Sequence, residues 1–461
     1  MKTQSYTQYQ ALIQSSEFKK LKEDFLSLME KYTSSVQFEN QAIPEIDYQS
    51  ALDEFLELRG RGLFYPTIQS GLGRGPLYEQ LNGEVKYDMV TGIGVNFFGH
   101  SHPRFASTLF DGVVNDVMQG NLQPGVEATV FLRRLIDQVS KKSRLEQGWI
   151  MGSGTMVNEV ALKILRQKKS PASKIIAFED CFCGRSTAMQ EITDNPKYRQ
   201  GQPTYGIVDY IPHYHMEDSL DVNIERTVSA LKVLCQKEDY VGLMIELVQG
   251  EGGFSFGPKD YYVAVFEEAK KQGLYIWADE IQTFGRTGEL FCYQTFGLDE
   301  YVDLVTAGKM LQSCVVLYTK EICPQPGLVA GTFAGSTSAL RTAKVTLDLL
   351  LDEGFLGPEG KIQKLSDEFR KQLESLSSEH PHWVSQIRIL GGMIAFQPFD
   401  GSMERVKSFL FKLFEAGVVA FSCGHGPYLV RMLPPFGVMT KDDISKVVSI
   451  IESTLEKEAS E

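Results

Sequence analysis

Five short apolar runs constrain this chain more than any other feature: GWIMGS (148–153), KIIAFED (174–180), VGLMIELV (241–248), LYIWADE (274–280) and VDLVTAG (302–308). Near-continuous apolar runs of this length belong to strands covered on both faces. Helical patterns separate them. One, after the first run, places Val157, Val160, Ala161, Ile164 and Leu165 on one face, and another covers YYVAVFEEAKKQG at 261–273. Strand–helix alternation predicts an α/β fold with a mainly parallel sheet, and such sheets bind ligands at the carboxyl ends of their strands. LYIWADE ends on two carboxylates, Asp279 and Glu280. A charge buried there is costly unless a partner stabilises it.

The texture changes after about residue 338. Helical patterns at 338–353 and 361–378, a strand-like GGMIAFQPF at 391–399, and helices at 403–416 and 441–457 predict a second, α+β domain. Near the start, residues 16–32 carry Phe18, Leu21, Phe25 and Leu28 at helical spacing, while the glycine-rich stretch at 60–79 reads as loop. No internal repeat or low-complexity tract is present.

The net charge of −13 argues against nucleic acid as a partner, since a phosphate backbone needs a basic face. Seven cysteines without a paired framework or CxxC motif point away from a disulfide scaffold or a metal site and toward a reducing cytosol. The first residues, MKTQSYTQYQ, lack an apolar secretory core, and no stretch is long enough to cross a membrane. The expectation is a cytoplasmic protein.

Three features carry chemistry. GSGTMVNE (152–159) is a glycine-rich turn opening a helix, whose free N–H groups suit a phosphate, although many strand-to-helix turns use glycine only for packing. Asp279 and Lys309 end neighbouring runs. On spacing alone the plainer reading of that pair is a structural ion bridge. With a phosphate cradle beside them, they also suit a pyridinium cofactor, which needs an anion at its ring nitrogen and a lysine for its aldehyde.

GIGVNFFGHSHP (92–103), MGSGTMVNEVALK (151–163), FEDCFCGRS (178–186), IELVQGEGGF (245–254), WADEIQTFGRTG (277–288) and TAGK (306–309) occur in an order that resembles the class III aminotransferases, pyridoxal-phosphate enzymes of fold type I. The resemblance spans roughly residues 75–435. It implies three parts: an N-terminal segment 1–91 contributing to the small domain, a large cofactor-binding domain 92–337, and a C-terminal small domain 338–461. It implies that Asp279 faces the pyridine nitrogen and that Lys309 bonds the aldehyde and later moves the proton. Gln282 would meet the ring's phenolic oxygen, Phe182 and Ile281 its two faces, and Gly154 and Thr155 the phosphate. Thr332 would reach the phosphate of a partner subunit, making the enzyme a homodimer. Without the resemblance, Phe182 and Ile281 read as core. Arg185 and Arg431 match positions that grip the distal and α-carboxylates of the substrates, and Glu251 matches the partner of the second arginine when the other substrate is bound.

The implied reaction moves an amino group from an ω-amino acid or diamine donor to a 2-oxo acid, 2-oxoglutarate, by alternating half-reactions. Another class III reaction, such as an aminomutase, racemase or decarboxylating transaminase, is the alternative, with a non-catalytic binding protein further off. The chain departs from the family pattern in three places. Cys183 stands where histidine is common, MLQSC follows Lys309 in place of a glycine pair, and Gly-Ser-Thr follows the Thr332 motif in place of Gly-Asn-Pro. The stretch Lys309–Cys314 is similar to lysine 6-aminotransferase-like members.

Overall fold

The computed structural model describes residues 7–120, 122–333 and 335–460. Its centre is a sheet of seven strands: β1 (Leu145–Met151), β2 (Lys174–Phe178), β3 (Val208–Ile211), β4 (Tyr240–Ile245), β5 (Tyr275–Glu280), β6 (Leu304–Ala307) and β7 (Cys314–Thr319). Their order across the sheet is β1-β7-β6-β5-β4-β2-β3. All neighbours are parallel except at β7, which runs antiparallel to both β1 and β6. The mainly parallel α/β sheet read from the sequence is therefore present. β3 and β7 add to the five strands read there. IVDYI is short and carries an aspartate at its centre, although Gly206 and Pro212 flank it, and SCVVLY follows Lys309 with no glycine or proline between.

Alternate residues of each strand pack into separate apolar layers. Leu243, Ile245, Ile276 and Ala278 join one, while Met244, Trp277 and Leu304 join the other together with Val157, Val160 and Leu165 of the helix Gly154–Lys168. Each fully buried large aliphatic or aromatic side chain contributes about 1.5–3 kcal/mol. The two-residue period decides what the acidic pair at the end of β5 does. Asp279 shares the face of Trp277, toward the helix that begins at Gly154, and Glu280 shares the face of Ala278.

A second sheet comprises β8 (Val384–Leu390), β9 (Met393–Pro398), β10 (Phe421–Cys423) and β11 (Leu429–Met432), antiparallel in the order β8-β9-β11-β10. The helices Lys361–Glu379, Met403–Glu415 and Lys441–Ala459 pack with it.

Residues 60–79, expected to be loop, contain two paired strands, Gln69–Arg74 and Leu77–Gln80. They belong to a third sheet with Val85–Asp88 and, in parallel, Val418–Val419. Glycine hides this strand from a propensity reading, and the packing requires glycine: a Cβ on Gly73 would stand 2.4 Å from that of His100. The N-terminal helix forms at Ser16–Thr33 as expected. Of its apolar stripe only Phe18 is buried, and Leu21, Phe25 and Leu28 stay exposed on the single chain.

Candidate active site

The carboxyl ends of β4, β5 and β6 and the start of the helix Gly154–Lys168 enclose a cavity of about 290 Å³. Gly154, Thr155, Phe182, Glu251, Asp279, Ile281, Gln282 and Lys309 line it, so eight of the eleven residues singled out in the sequence meet in one place.

Asp279 is 5% exposed, and both its oxygens are held. Oδ2 accepts from Asn158 Nδ2 at 2.7 Å and Oδ1 from the Ile281 N–H at 3.0 Å. Burial raises its pKa to about 6, against the pull of these two donors and of Lys309. A cation set against it would draw that value down again. Glu280 points away. It accepts from the Thr283 hydroxyl and from the N–H groups of Cys292, at 3.0 Å, and Tyr293, at 2.8 Å, and so anchors the following turn.

Lys309 follows β6 at the first position of a tight turn, Lys309–Leu311, with φ at +47°. A left-handed backbone at a non-glycine residue stores strain and persists only where its surroundings enforce it. Burial, then the charge of Arg431, lowers the Lys309 pKa to about 8, while Glu251, Glu246 and Asp279 hold it up. The amine thus loses its proton far more readily than an ordinary lysine.

The wall opposite is a helix N-terminus. Ser153 caps it, its Oγ accepting from Met156 N–H at 3.3 Å, and the first N–H groups of the helix have no intrahelical acceptor. Close approach shapes this corner. Gly184 has φ at +139°, and a Cβ there would stand 2.5 Å from Thr155 Oγ1. Gln282 is buried, and its Oε1 has no hydrogen-bond partner among the described residues.

At the far side, Arg431 of β11 is wholly buried. Its Nη2 donates to Glu251 Oε1 and its Nη1 to Gly250 O, each at 2.8 Å. Burial would raise the Glu251 pKa, but the Arg431 guanidinium outweighs it and holds the carboxyl below its usual value. The loop carrying Glu251 is slung between the two large sheets. From the first, Glu246 Oε2 accepts the Gly250 N–H at 3.1 Å. From the second come Arg431, the Gly424 N–H to Glu251 O at 2.8 Å, and Arg388 Nη1 to Gly253 O at 2.7 Å.

Three singled-out residues lie elsewhere. Arg431 does not line the cavity and reaches it through Glu251. Arg185 is exposed, with its guanidinium over the ring of Tyr198. Thr332 is exposed and away from this chain's cavity.

Sequence reading missed Asn158, which orients Asp279, and Glu246, whose Oε1 accepts the Phe182 N–H at 2.7 Å. Burial, then Asp279, pushes the Glu246 pKa up to about 8 despite its two N–H donors. Both residues stand inside the quoted motifs, Asn158 one helical turn after Gly154 and Glu246 at the end of β4.

The donor set fits a phosphorylated pyridine aldehyde. A buried carboxylate, an easily deprotonated amine, free N–H groups at a helix start and an unpartnered amide oxygen converge on one cavity.

A family model described as "Aminotransferase class-III" matches residues 66–455. The acetylornithine aminotransferase of Bacillus subtilis is 29% identical over 396 residues, 83% of this chain and 93% of that protein. Among solved structures, the lysine aminotransferase of M. tuberculosis superposes with a TM-score of 0.79 at 20% identity, covering 88% of this chain and 99% of that one. The ornithine aminotransferase of Toxoplasma gondii superposes with a TM-score of 0.76 at 20% identity, covering 90% and 99%.

Proposed function

The chain belongs to the class-III aminotransferase family, and from that premise we propose that it moves an amino group from an ω-amino acid or diamine donor to 2-oxoglutarate. Its cofactor is pyridoxal 5'-phosphate, which when bound supplies an electron sink for the electron pair left on the carbon bearing the amino group when that carbon loses its proton. In this reading Gly154 and Thr155 hold the phosphate through the helix N-terminus, Phe182 and Ile281 take the two faces of the ring, and Gln282 meets its phenolic oxygen. Asp279 keeps a negative charge beside the ring nitrogen. Lys309 holds the aldehyde and, once freed as a neutral amine, takes the proton and returns it.

The observation that carries the two-substrate reading is the pair Arg431–Glu251. A buried guanidinium whose carboxylate partner is a side chain lining the cavity can accept a substrate carboxylate in one half-reaction and be silenced by Glu251 in the other. Arg185 would take the distal carboxylate. We expect Arg431→Ala to slow the half-reaction with 2-oxoglutarate roughly 30-fold or more, since truncating one partner of a buried charge pair costs about 2–5 kcal/mol, and to affect the amine half-reaction much less. Each half is followed separately by the cofactor's visible absorbance, with a panel of amines and oxo acids identifying the donor. Equal losses in both halves would make Arg431 a structural residue.

We further propose a homodimer in which Thr332 serves the partner's phosphate. Supporting this, Thr332 adjoins an exposed apolar region that includes Val113, Val117, Leu122, Val126 and Phe333, with Leu122 98% and Val117 76% exposed. Large apolar side chains left this exposed on a single chain are the kind of surface that subunit contacts cover. Sedimentation should give a dimer mass at micromolar concentration, and Val117→Glu with Val126→Glu should yield inactive monomers. An active monomer would remove the cross-subunit role of Thr332.

A further inference from the structure

Lys309 sits on a turn that its own backbone disfavours. Lys309 and Gln312 are both left-handed, with φ at +47° and +65°, and the Gln312 N–H closes the turn by donating to Lys309 O at 2.9 Å. No glycine stands between Lys309 and Cys314 to take such a conformation without strain. Met310 and Leu311 are buried in the core and hold the middle of the turn. Its closing residue is held differently. Gln312 Nε2 donates to Val95 O at 2.9 Å, across 217 residues of sequence.

Val95 follows a run of left-handed residues from Thr91 to Gly94, with φ between 50° and 85°. Their neighbours pin them. Thr91 N–H donates to Asp88 Oδ1 at 2.6 Å, and Thr91 Oγ1 donates to Leu433 O at 2.8 Å, just beyond the strand that carries Arg431. Leu433 N–H donates to Met89 O at 2.7 Å. The wholly buried Arg286 donates from Nη2 to Gly94 O at 2.7 Å. The segment Thr91–Val95 is therefore a frame fixed from several elements, and the lysine turn is tied to it by one side chain.

Resting on the reading that Lys309 bonds the cofactor's aldehyde, we propose that Gln312 is a positioning residue whose amide fastens the lysine turn to this frame and so keeps the Lys309 side chain directed into the cavity. Relaxing Lys309 toward a right-handed backbone would swing its Cα–Cβ bond and draw the amine away. That relaxation must carry the Lys309 carbonyl with it, and the carbonyl is held by the N–H of Gln312. Fixing Gln312 thus opposes the relaxation through one hydrogen bond. A reacting group is set in place beforehand when its supports are locked in this way.

The test compares two compounds on the full chain after removal of its cofactor. Pyridoxal 5'-phosphate is followed by its covalent capture with borohydride. Pyridoxine 5'-phosphate has the same ring and phosphate, but an alcohol in place of the aldehyde. Gln312→Met keeps the length and the left-handed Cβ and removes the donor, whereas Gln312→Gly removes the donor and the strain together. Both should slow capture of the aldehyde about three- to tenfold, the range for one intramolecular hydrogen bond, while affinity for pyridoxine 5'-phosphate stays within about twofold. Capture at the wild-type rate in either variant overturns the proposal. So do equal losses for the two compounds, which mark a general loosening of the site. Mass spectrometry of the trapped wild type separates this role from the reading beneath it: an adduct on a residue other than Lys309 removes that reading, and the role of Gln312 with it.

Discussion

Lys309→Ala should give a folded protein that binds its cofactor without a covalent link and no longer transaminates. The fold should survive because the substitution keeps a Cβ at the left-handed position, φ +47°, and removes only an amine from a cavity wall. Alanine meets the same backbone strain that lysine does, so the local penalty barely changes. The chemistry does not survive, because two functions leave together. The aldehyde loses its anchor, and the proton loses an amine lining the cavity, the one such amine among the described residues, whose pKa near 8 suits transfer near neutral pH. General acid–base catalysis alone is worth about 10²–10⁴-fold, so turnover should drop by about 10⁴-fold or more. Borohydride treatment followed by mass spectrometry should find the cofactor fixed to the wild-type chain and absent from the variant. Near-normal turnover by the variant would end the assignment of Lys309.

Asp279→Asn should retain cofactor and lose about 10- to 100-fold in the rate of proton removal from a bound amine, the equivalent of about 1.5–3 kcal/mol for a contact to a charged group. Burial raises its pKa to about 6 in the cofactor-free chain, and the ring cation of the bound cofactor would draw it lower, so the loss should persist through neutral pH. The amide also disturbs a local fit. Asp279 accepts from both Asn158 Nδ2 and the Ile281 N–H, and an asparagine oxygen can serve only one of them in this geometry. A modest fall in melting temperature should accompany the kinetic loss. Stopped-flow absorbance with the best amine donor measures the rate, and a variant equal to wild type in that half-reaction would remove Asp279 from the ring nitrogen.

Much of this site was legible before any coordinates, because strand ends in a parallel sheet are both recognisable and functional. The apolar runs fixed where β4, β5 and β6 stop, and so placed Asp279 and Lys309 together. What escaped was set by contacts distant in sequence. Asn158 sits in the face of a helix whose other members are core, and nothing local shows that its amide meets Asp279, 121 residues away. Glu246 reads as the polar end of a strand until its N–H donors from Phe182 and Gly250 are seen. The strand Gln69–Arg74 was lost for the opposite reason, since glycines placed for close approach erase the local signal of a strand. The exposure of Arg185 is likewise a property of its stacking on Tyr198, which no spacing could convey.

The loop that bears Glu251 hangs from the second sheet by Arg431, Gly424 and Arg388. In the dual-substrate reading proposed above, its side-chain tie is also the one a substrate carboxylate would break. Turnover and stiffness would then be linked: the joint between the sheets would be braced while the amine is bound and relaxed by one strut while the oxo acid is bound. On that reading the enzyme would breathe in step with its own half-reactions, softest when the dicarboxylate enters and leaves.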